Sequence, residues 1–235
     1  MVFADILEEN HIDVTKYWDH YYGDGNLQCQ KPSRFSKFCR RYFIKDNDVV
    51  FDFGCGDGRD TLYFSKQGLA VYACDISEEA INLTQKRLNN TGCDTHHIFR
   101  SDVTKLSSAE VNLTFNIAYC RFFLHSLTNE QEAVFLAWLS KTLPAGGLLL
   151  IEARTTKDLL CNDKYLKIDK NTYLYEENHF RRFIVPEDFI PVISAYGFEL
   201  IYQKRSNKFS SVKKNGVLDS PELLRAVFKK KSECP

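Results

Sequence analysis

Between Val49 and Asp60 the chain reads VVFDFGCGDGRD, an apolar run that ends in three glycines at alternate positions. Val49–Phe53 has the composition of a strand. Glycines placed after a strand and before a helix let the backbone bend tightly and come close to a ligand. The spacing is G-x-G-x-G, without the third glycine position of the dinucleotide fingerprint G-x-G-x-x-G, and Asp52 stands just ahead of the turn. That combination favours a ligand with an amino-acid end over one that presents a pyrophosphate. It argues against a nicotinamide oxidoreductase, the main rival for a glycine-rich chain of this kind.

From Asp48 onward the pattern alternates. It predicts strands at 49–53, 70–75, 97–100, 115–120 and 148–153, with helices near 59–67, 78–90 and 130–143, the second opened by Ser77 as N-cap. Alternation of this kind gives a parallel sheet with helices on both faces. Pro186 starts a helix to Tyr196, and strands at 198–204 and 223–229, linked through Asn215-Gly216, are expected to finish the sheet as an antiparallel hairpin. The expected fold class is therefore α/β: a doubly wound, seven-stranded, mostly parallel Rossmann-like sheet with a reversed C-terminal hairpin. One domain is expected over 1–235, with 1–45 as an N-terminal cap or lid, 46–153 as the ligand-binding core, 154–185 as an irregular polar insert and 186–235 as the C-terminal helix and hairpin.

The chain of 235 residues is 44% hydrophobic and 26% charged, close to the globular average, so a packed core is expected. Lysine plus arginine equals aspartate plus glutamate at 31 each, which leaves no long-range positive field to attract a polyanion. Nucleic acid is not expected as a partner, and the short basic run Lys229–Lys231 reads as a solvated end. The eight cysteines include no C-x-x-C pair and no zinc-finger spacing, so they read as reduced thiols and no metal is expected. The opening MVFADILEEN has neither a basic n-region nor an apolar h-region, and no apolar stretch approaches the ~20 residues a bilayer span needs. A cytoplasmic protein is expected, and the oligomeric state does not follow from the sequence.

A second acid, Asp75, closes the next strand, where a carboxylate accepts hydrogen bonds from ribose hydroxyls in nucleotide-binding sheets. Asp102, in Arg100-Ser101-Asp102-Val103, belongs at the same edge and could meet an adenine amino group. With these features assembled, the chain resembles the class I S-adenosylmethionine-dependent methyltransferases. DFGCGDGRDT (52–61) is similar to their first motif, AVYACDIS (70–77) to their second and SDV (101–103) to the adenine-contacting motif. The resemblance implies S-adenosylmethionine as cofactor, with Gly54, Gly56 and Gly58 along its methionine part, Asp52 helping to hold it and Asp75 on its ribose. Ile76, Asp102, Val103 and Cys120 complete the implied cofactor set.

Methyl transfer from a sulfonium is an in-line displacement, so the protein mainly aligns the acceptor and excludes water. In the resembled family the segment Ala118–Leu127 faces the transferring methyl, which makes His125 a candidate base or acceptor contact; the plainer alternative is a helix-start histidine bonded to backbone. Arg121, the other candidate catalytic residue, offers a planar fork for a carboxylate or phosphate. Arg154 after the fifth strand, Tyr173, His179 and Arg181 in the insert, and Tyr21 in the aromatic stretch Tyr17–Tyr22 form the expected substrate set. Arginines beside tyrosines suggest an anionic, polar acceptor; alternatively, Arg181 and Arg182 are solvated charges paired with Glu176 and Glu177. RFFLHSL, EARTTKD and HFRRF resemble segments of small-molecule members found with bacterial surface-polysaccharide pathways, which implies a sugar, a phosphate-type group or a glycan precursor as acceptor. O-methylation is expected, with methylation of a protein side chain, or a non-catalytic nucleotide-binding protein of the same fold, as alternatives.

Overall fold

The structure, a computed structural model, describes residues 13–24, 31–105, 114–161, 164–175, 179–210, 212–214 and 217–232. Two helices, α1 (Val14–Gly23) and α2 (Arg34–Tyr42), precede β1 (Val49–Phe53), α3 (Arg59–Lys66), β2 (Ala70–Asp75), α4 (Glu78–Asn89) and β3 (Ile98–Arg100). Next come β4 (Ile117–Arg121), a single 3₁₀ turn at Leu124–Ser126, α5 (Asn129–Thr142) and β5 (Leu148–Arg154). The insert forms β6 (Leu166–Asp169), β7 (Thr172–Tyr175) and β8 (His179–Arg182), and the chain ends with α6 (Pro186–Ala195), β9 (Phe198–Ser206), β10 (Val212–Lys214), β11 (Val217–Asp219) and β12 (Leu223–Lys230).

The main sheet has seven strands in the order β3-β2-β1-β4-β5-β12-β9. β1 to β5 run parallel, and β12 lies antiparallel to both β5 and β9, so the predicted reversed hairpin closes the sheet. The expected Asn215-Gly216 turn lies outside the described residues; the strands on either side of it, β10 and β11, pair with each other rather than extending the main sheet.

Because side chains alternate along a strand, the two faces of the sheet receive different residues. Phe51 and Phe53 of β1, Ala118 and Cys120 of β4 and Ile151 and Ala153 of β5 join Phe135 and Leu139 of α5 in one apolar layer. Val50, Ile117, Tyr119 and Leu150 turn to the other face, against Phe35 and Cys39 of α2 and Phe64 of α3. The helices start where their caps dictate: Ser77 accepts the Ala80 N–H at α4, and Thr128 and Gln131 form a reciprocal capping box at α5.

The insert is not the irregular stretch the sequence suggested. Its three short strands form a separate antiparallel sheet in the order β6-β7-β8. The β6–β7 turn is made by Asn171 at φ 57°, a left-handed conformation that asparagine tolerates better than most residues. A parallel bridge between Thr155 and Ile184 ties the two ends of the insert together. Strands of four residues carry little periodicity, which is why polarity hid them.

Arg182 fastens this small sheet to the core. Its Nε and Nη2 donate to the carbonyls of Leu127 and Leu124, its Nη1 donates to Asn129, and it forms an ion pair with the buried Glu132 of α5. The expectation that Arg182 is a solvated charge is therefore corrected; the residues proposed as its partners, Glu176 and Glu177, lie outside the described residues. Removing one member of a buried ion pair strands the other, at about 3–5 kcal/mol. Arg182→Met should lower the unfolding free energy in urea by about that amount, and adding Glu132→Leu should restore most of it.

Candidate active site

The turn after β1 is built by backbone contacts. Gly54, Gly56 and Gly58 have φ of 68°, 56° and 73°, all left-handed, and the N–H groups of Gly54 and Cys55 both donate to the Cys74 carbonyl at the end of β2. The Gly56 N–H donates to Asp75 Oδ2 at 3.0 Å, and the Ser77 N–H donates to Asp75 Oδ1 at 3.1 Å. A Cβ on Gly56 would lie 2.5 Å from the Tyr22 hydroxyl, one on Gly54 would lie 2.8 Å from the Phe123 ring and one on Gly58 would lie 2.6 Å from Thr84. Of the three glycines, Gly58 therefore serves packing against α4, while Gly54 and Gly56 line open space.

Two connected hollows lie at the carboxyl ends of the strands, where the strand order reverses between β1 and β4. One is a slot of about 110 Å³ with Asp75 and Ile76 on one side, Asp102 and Val103 on another and Phe123 and Leu127 closing it. The other is a cavity of about 420 Å³ walled by Asp52, Asp60, Arg121, His125, Arg154 and Arg181. Gly54, Trp18, Tyr22 and Phe122 border both. Phe122 itself adopts φ 55°, with the Arg121 guanidinium 4.2 Å from its ring centroid and the His125 ring stacked at 5.4 Å.

Helix α1 covers these hollows. Asp19 accepts from Ser77 Oγ at 2.7 Å, latching the helix to the start of α4, and Tyr17 stacks on His179 of β8 at 4.3 Å and 7°. The aromatic stretch thus sits as a lid, and it meets the insert above the cavity.

Burial pushes the Asp52 carboxyl up to about 7; Thr61 Oγ1, donating to it at 2.6 Å, works in the opposite direction. Burial also raises Asp75 to about 6, against its backbone N–H donors. For Asp60, burial is outweighed by Arg121, Arg59 and the Ser33 N–H, so its carboxyl is held below the usual range. It accepts from the Ser33 N–H, Ser36 Oγ and the Tyr119 hydroxyl at 2.7, 2.8 and 2.9 Å. His125 is buried, and desolvation together with Arg181, Arg154, His179 and Arg182 keeps it well below its ordinary value, hence neutral. Among the described residues its Nδ1 has no hydrogen-bond partner.

The arginines differ in their pairing. Glu152 accepts Arg121 Nε at 3.0 Å and Arg225 Nε at 2.7 Å, because the three residues stand in register on β4, β5 and β12. Arg154 pairs with Asp158 at 2.6 Å. Arg181 has no carboxylate partner among the described residues; burial and Arg154 lower its pKa, and its guanidinium faces the cavity.

Asp52, Gly54, Gly56, Arg121, His125, Arg154, Arg181 and Tyr21 all border the larger cavity, and Asp75, Ile76, Asp102 and Val103 border the slot. Four expected site residues stand elsewhere: Gly58, which packs against Thr84 of α4, and Cys120, Tyr173 and His179. Cys120 alternates with Tyr119 and Arg121 on β4, so its side chain points to the opposite face and is buried in the α5 core. Tyr173 is buried within the insert against Phe183. His179 stacks on Tyr17 of α1, and among the described residues neither ring nitrogen has a hydrogen-bond partner. Sequence reasoning missed Trp18, Phe122, Asp60 and Arg59 as wall residues; the aromatic stretch signalled only the first.

A model of the methyltransferase domain matches residues 25–203 of this chain. The chain belongs to this methyltransferase family. It is 32% identical over 74 residues to the ribosomal protein L11 methyltransferase of Caldanaerobacter subterraneus subsp. tengcongensis, covering 30% of this chain and 24% of that protein. Over 110 residues it is 29% identical to the mRNA cap guanine-N(7) methyltransferase of Schizosaccharomyces pombe, covering 43% and 31%. The chain thus spans a third or less of the length of these two curated relatives. Among solved structures, an S-adenosylmethionine-dependent methyltransferase of Methanosarcina mazei superposes with a TM-score of 0.69 at 16% identity, covering 83% of this chain and 97% of that one. The 1,6-didemethyltoxoflavin-N1-methyltransferase of Burkholderia thailandensis, with S-adenosylhomocysteine bound, superposes at 0.65 and 19% identity, covering 93% and 88%.

S-adenosylmethionine is the cofactor of this methyltransferase fold, and the two hollows suit it. Asp75, buried with both oxygens fixed by backbone N–H groups, would accept from ribose hydroxyls; Ile76, Val103 and Leu127 would flank the base, with Asp102 at the rim. Asp102 already accepts from Thr104 and pairs with Lys105, which orients it. Gly54, Gly56 and Asp52 would hold the amino-acid end. Bound there, the cofactor supplies an electrophilic methyl carbon on a sulfonium. The chain's own contribution is a cavity beneath α1 whose wall carries a guanidinium with no carboxylate partner among the described residues and a neutral imidazole. Among the described residues no helix is long and apolar enough to cross a membrane.

A raised Asp52 pKa favours the protonated form in the folded state, so its destabilising effect is absent below about 3.8, grows as the pH rises towards about 7 and is constant above. Asp52→Asn should therefore gain stability relative to the unmodified chain across that window, read as the difference between urea midpoints at successive pH values.

Proposed function

We propose that this methyltransferase transfers the methyl group of S-adenosylmethionine to oxygen of a small, polar, anionic acceptor, such as a sugar acid, a phosphate-type group or a charged glycan precursor. The observation that carries the reading is Arg181: a largely buried guanidinium at the cavity wall with no carboxylate partner among the described residues. An uncompensated buried cation is costly, and an anionic ligand supplies the missing partner. Arg154 lies close enough to lower the Arg181 pKa, and the added positive potential favours the same kind of acceptor.

The lid supports a small acceptor over a protein chain. Tyr17 and His179 join α1 to the insert across the opening, whereas a polypeptide substrate calls for an open groove. The catalytic reading is preferred over a non-catalytic nucleotide-binding role because the larger cavity, of about 420 Å³, extends beyond Asp52, Gly54 and Gly56 to His125, Arg154 and Arg181.

Isothermal titration with S-adenosylhomocysteine tests the cofactor half, and absence of binding would sink it. For the acceptor half, Arg181→Gln should raise the acceptor KM roughly 10- to 100-fold, the loss of one charge-assisted contact. The same variant should leave S-adenosylhomocysteine affinity within about twofold, which separates an acceptor contact from a cofactor contact.

A further inference from the structure

Most charges around the larger cavity have a bonded partner of opposite sign. Glu152 is shared by Arg121 and Arg225, Asp158 pairs with Arg154, and Asp57 is paired with Arg87 at 2.8 Å. Asp60 is saturated by Ser33, Ser36 and Tyr119. Arg59 begins α3 beside Asp57 and the glycine turn, at the amino-acid end of the cofactor site. On the acceptor side, in the insert strand β8, Arg181 has no carboxylate in contact among the described residues; Asp158, which acts on it from a distance, is bonded to Arg154.

The same side lacks a place for a proton. Among the described residues His125 has no carboxylate in contact, its buried Nδ1 has no hydrogen-bond partner, and the charged or titratable groups facing it are Arg181, Arg154, His179 and Arg182. In a His–Asp arrangement a carboxylate stabilises the imidazolium that forms during proton transfer. Here a protonated His125 would sit among three guanidiniums. Asp52 is committed to Thr61 Oγ1, on the cofactor side of the cavity. A hydroxyl acceptor, which must lose a proton, is poorly served by this wall.

Resting on the methyltransferase reading above, we propose that the methylated atom is an oxygen of a carboxylate held by Arg181, and that the reaction is base-free methyl-ester formation. The carboxylate oxygen forms a bond to the methyl carbon as the carbon–sulfur bond breaks, and the electron pair of that bond remains on sulfur. No proton moves. The anion and the sulfonium charge disappear together, leaving a neutral ester and a neutral thioether. Removing both ions from bulk water favours a step that annihilates charge, because each loses solvation before reacting and neither product needs it. The neutral ester no longer pairs with Arg181, which assists its release. One uncompensated guanidinium matches a monoanion better than a dianionic phosphate, which would leave one negative charge unpaired.

The test uses the whole chain with S-adenosylmethionine carrying a labelled methyl group. Acceptors are benzoate and hexanoate, their amides and alcohols, and a small-molecule extract of cells. Expected are label that mild alkali releases as methanol and, at saturating S-adenosylmethionine and above the Asp52 pKa of about 7, an acceptor-dependent rate without an ionisation between about pH 8 and 9. With S-adenosylhomocysteine bound, Trp18 fluorescence should report benzoate binding at least roughly tenfold tighter than benzamide, and Arg181→Gln should abolish that preference while Arg181→Lys retains part of it. Label that survives alkali, or an acceptor-dependent rate that rises with one ionisation, overturns the carboxylate proposal while leaving methyl transfer intact. Equal binding of benzoate and benzamide, with no label entering the extract while S-adenosylhomocysteine still binds, also overturns it. Loss of S-adenosylhomocysteine binding by the unmodified chain would overturn the methyltransferase reading instead.

Discussion

One buried carboxylate organises the ligand end of this fold. Asp75 stands at the last position of β2 and receives the Gly56 N–H on one oxygen and the Ser77 N–H on the other. Those two contacts join the glycine turn after β1 to the cap of α4, so the adjacent strands end at a common level. The turn can accept this arrangement because Gly54, Gly56 and Gly58 sit at positive φ. Burial opposes ionisation of Asp75, and the backbone donors partly offset that cost. A polar ligand that finds this carboxylate meets a group already oriented, with little left to rearrange on binding.

The period of two along each strand divides the site from the core. On β4 it sends Tyr119 and Arg121 to the cavity and Cys120 to the opposite layer; on β5 it sends Glu152 and Arg154 to the cavity side and Ala153 to the core. On β8 it directs Arg181 at the cavity and Arg182 at Glu132. Two neighbouring arginines thereby acquire unrelated tasks. One joins the insert to α5, and the other has no carboxylate in contact among the described residues.

The core strands were legible in the sequence because they carry strong local signals, VVFDF before glycines and AVYACD closing on an acid, with Ser77 and Pro186 at helix starts. The residues lining the slot followed from the same motifs, since a strand end and the turn after it are close in space whatever the remainder of the chain does. Signals failed where position depends on distant contacts. Cys120 was placed by motif proximity, but its orientation is set by strand phase. Tyr173 looked like a site residue from its composition, yet it packs against Phe183 inside a small sheet whose four-residue strands left no recognisable period. Arg182 and Glu132 are far apart in sequence, and no local pattern announces that pair. His125 was legible as a site residue but not as an isolated neutral one, because its surroundings come from β5 and β8.

Phe122 carries a consequence for how this protein could vary. A bulky residue at φ 55° costs roughly 1–3 kcal/mol, which glycine at that position would recover. Glycine would also remove the ring that borders both hollows, receives the Arg121 guanidinium on its face and stacks on His125. Stability and site shape therefore pull in opposite directions at one residue. A chain selected only for heat resistance would tend to lose that ring, whereas one selected for turnover has reason to keep the strained backbone.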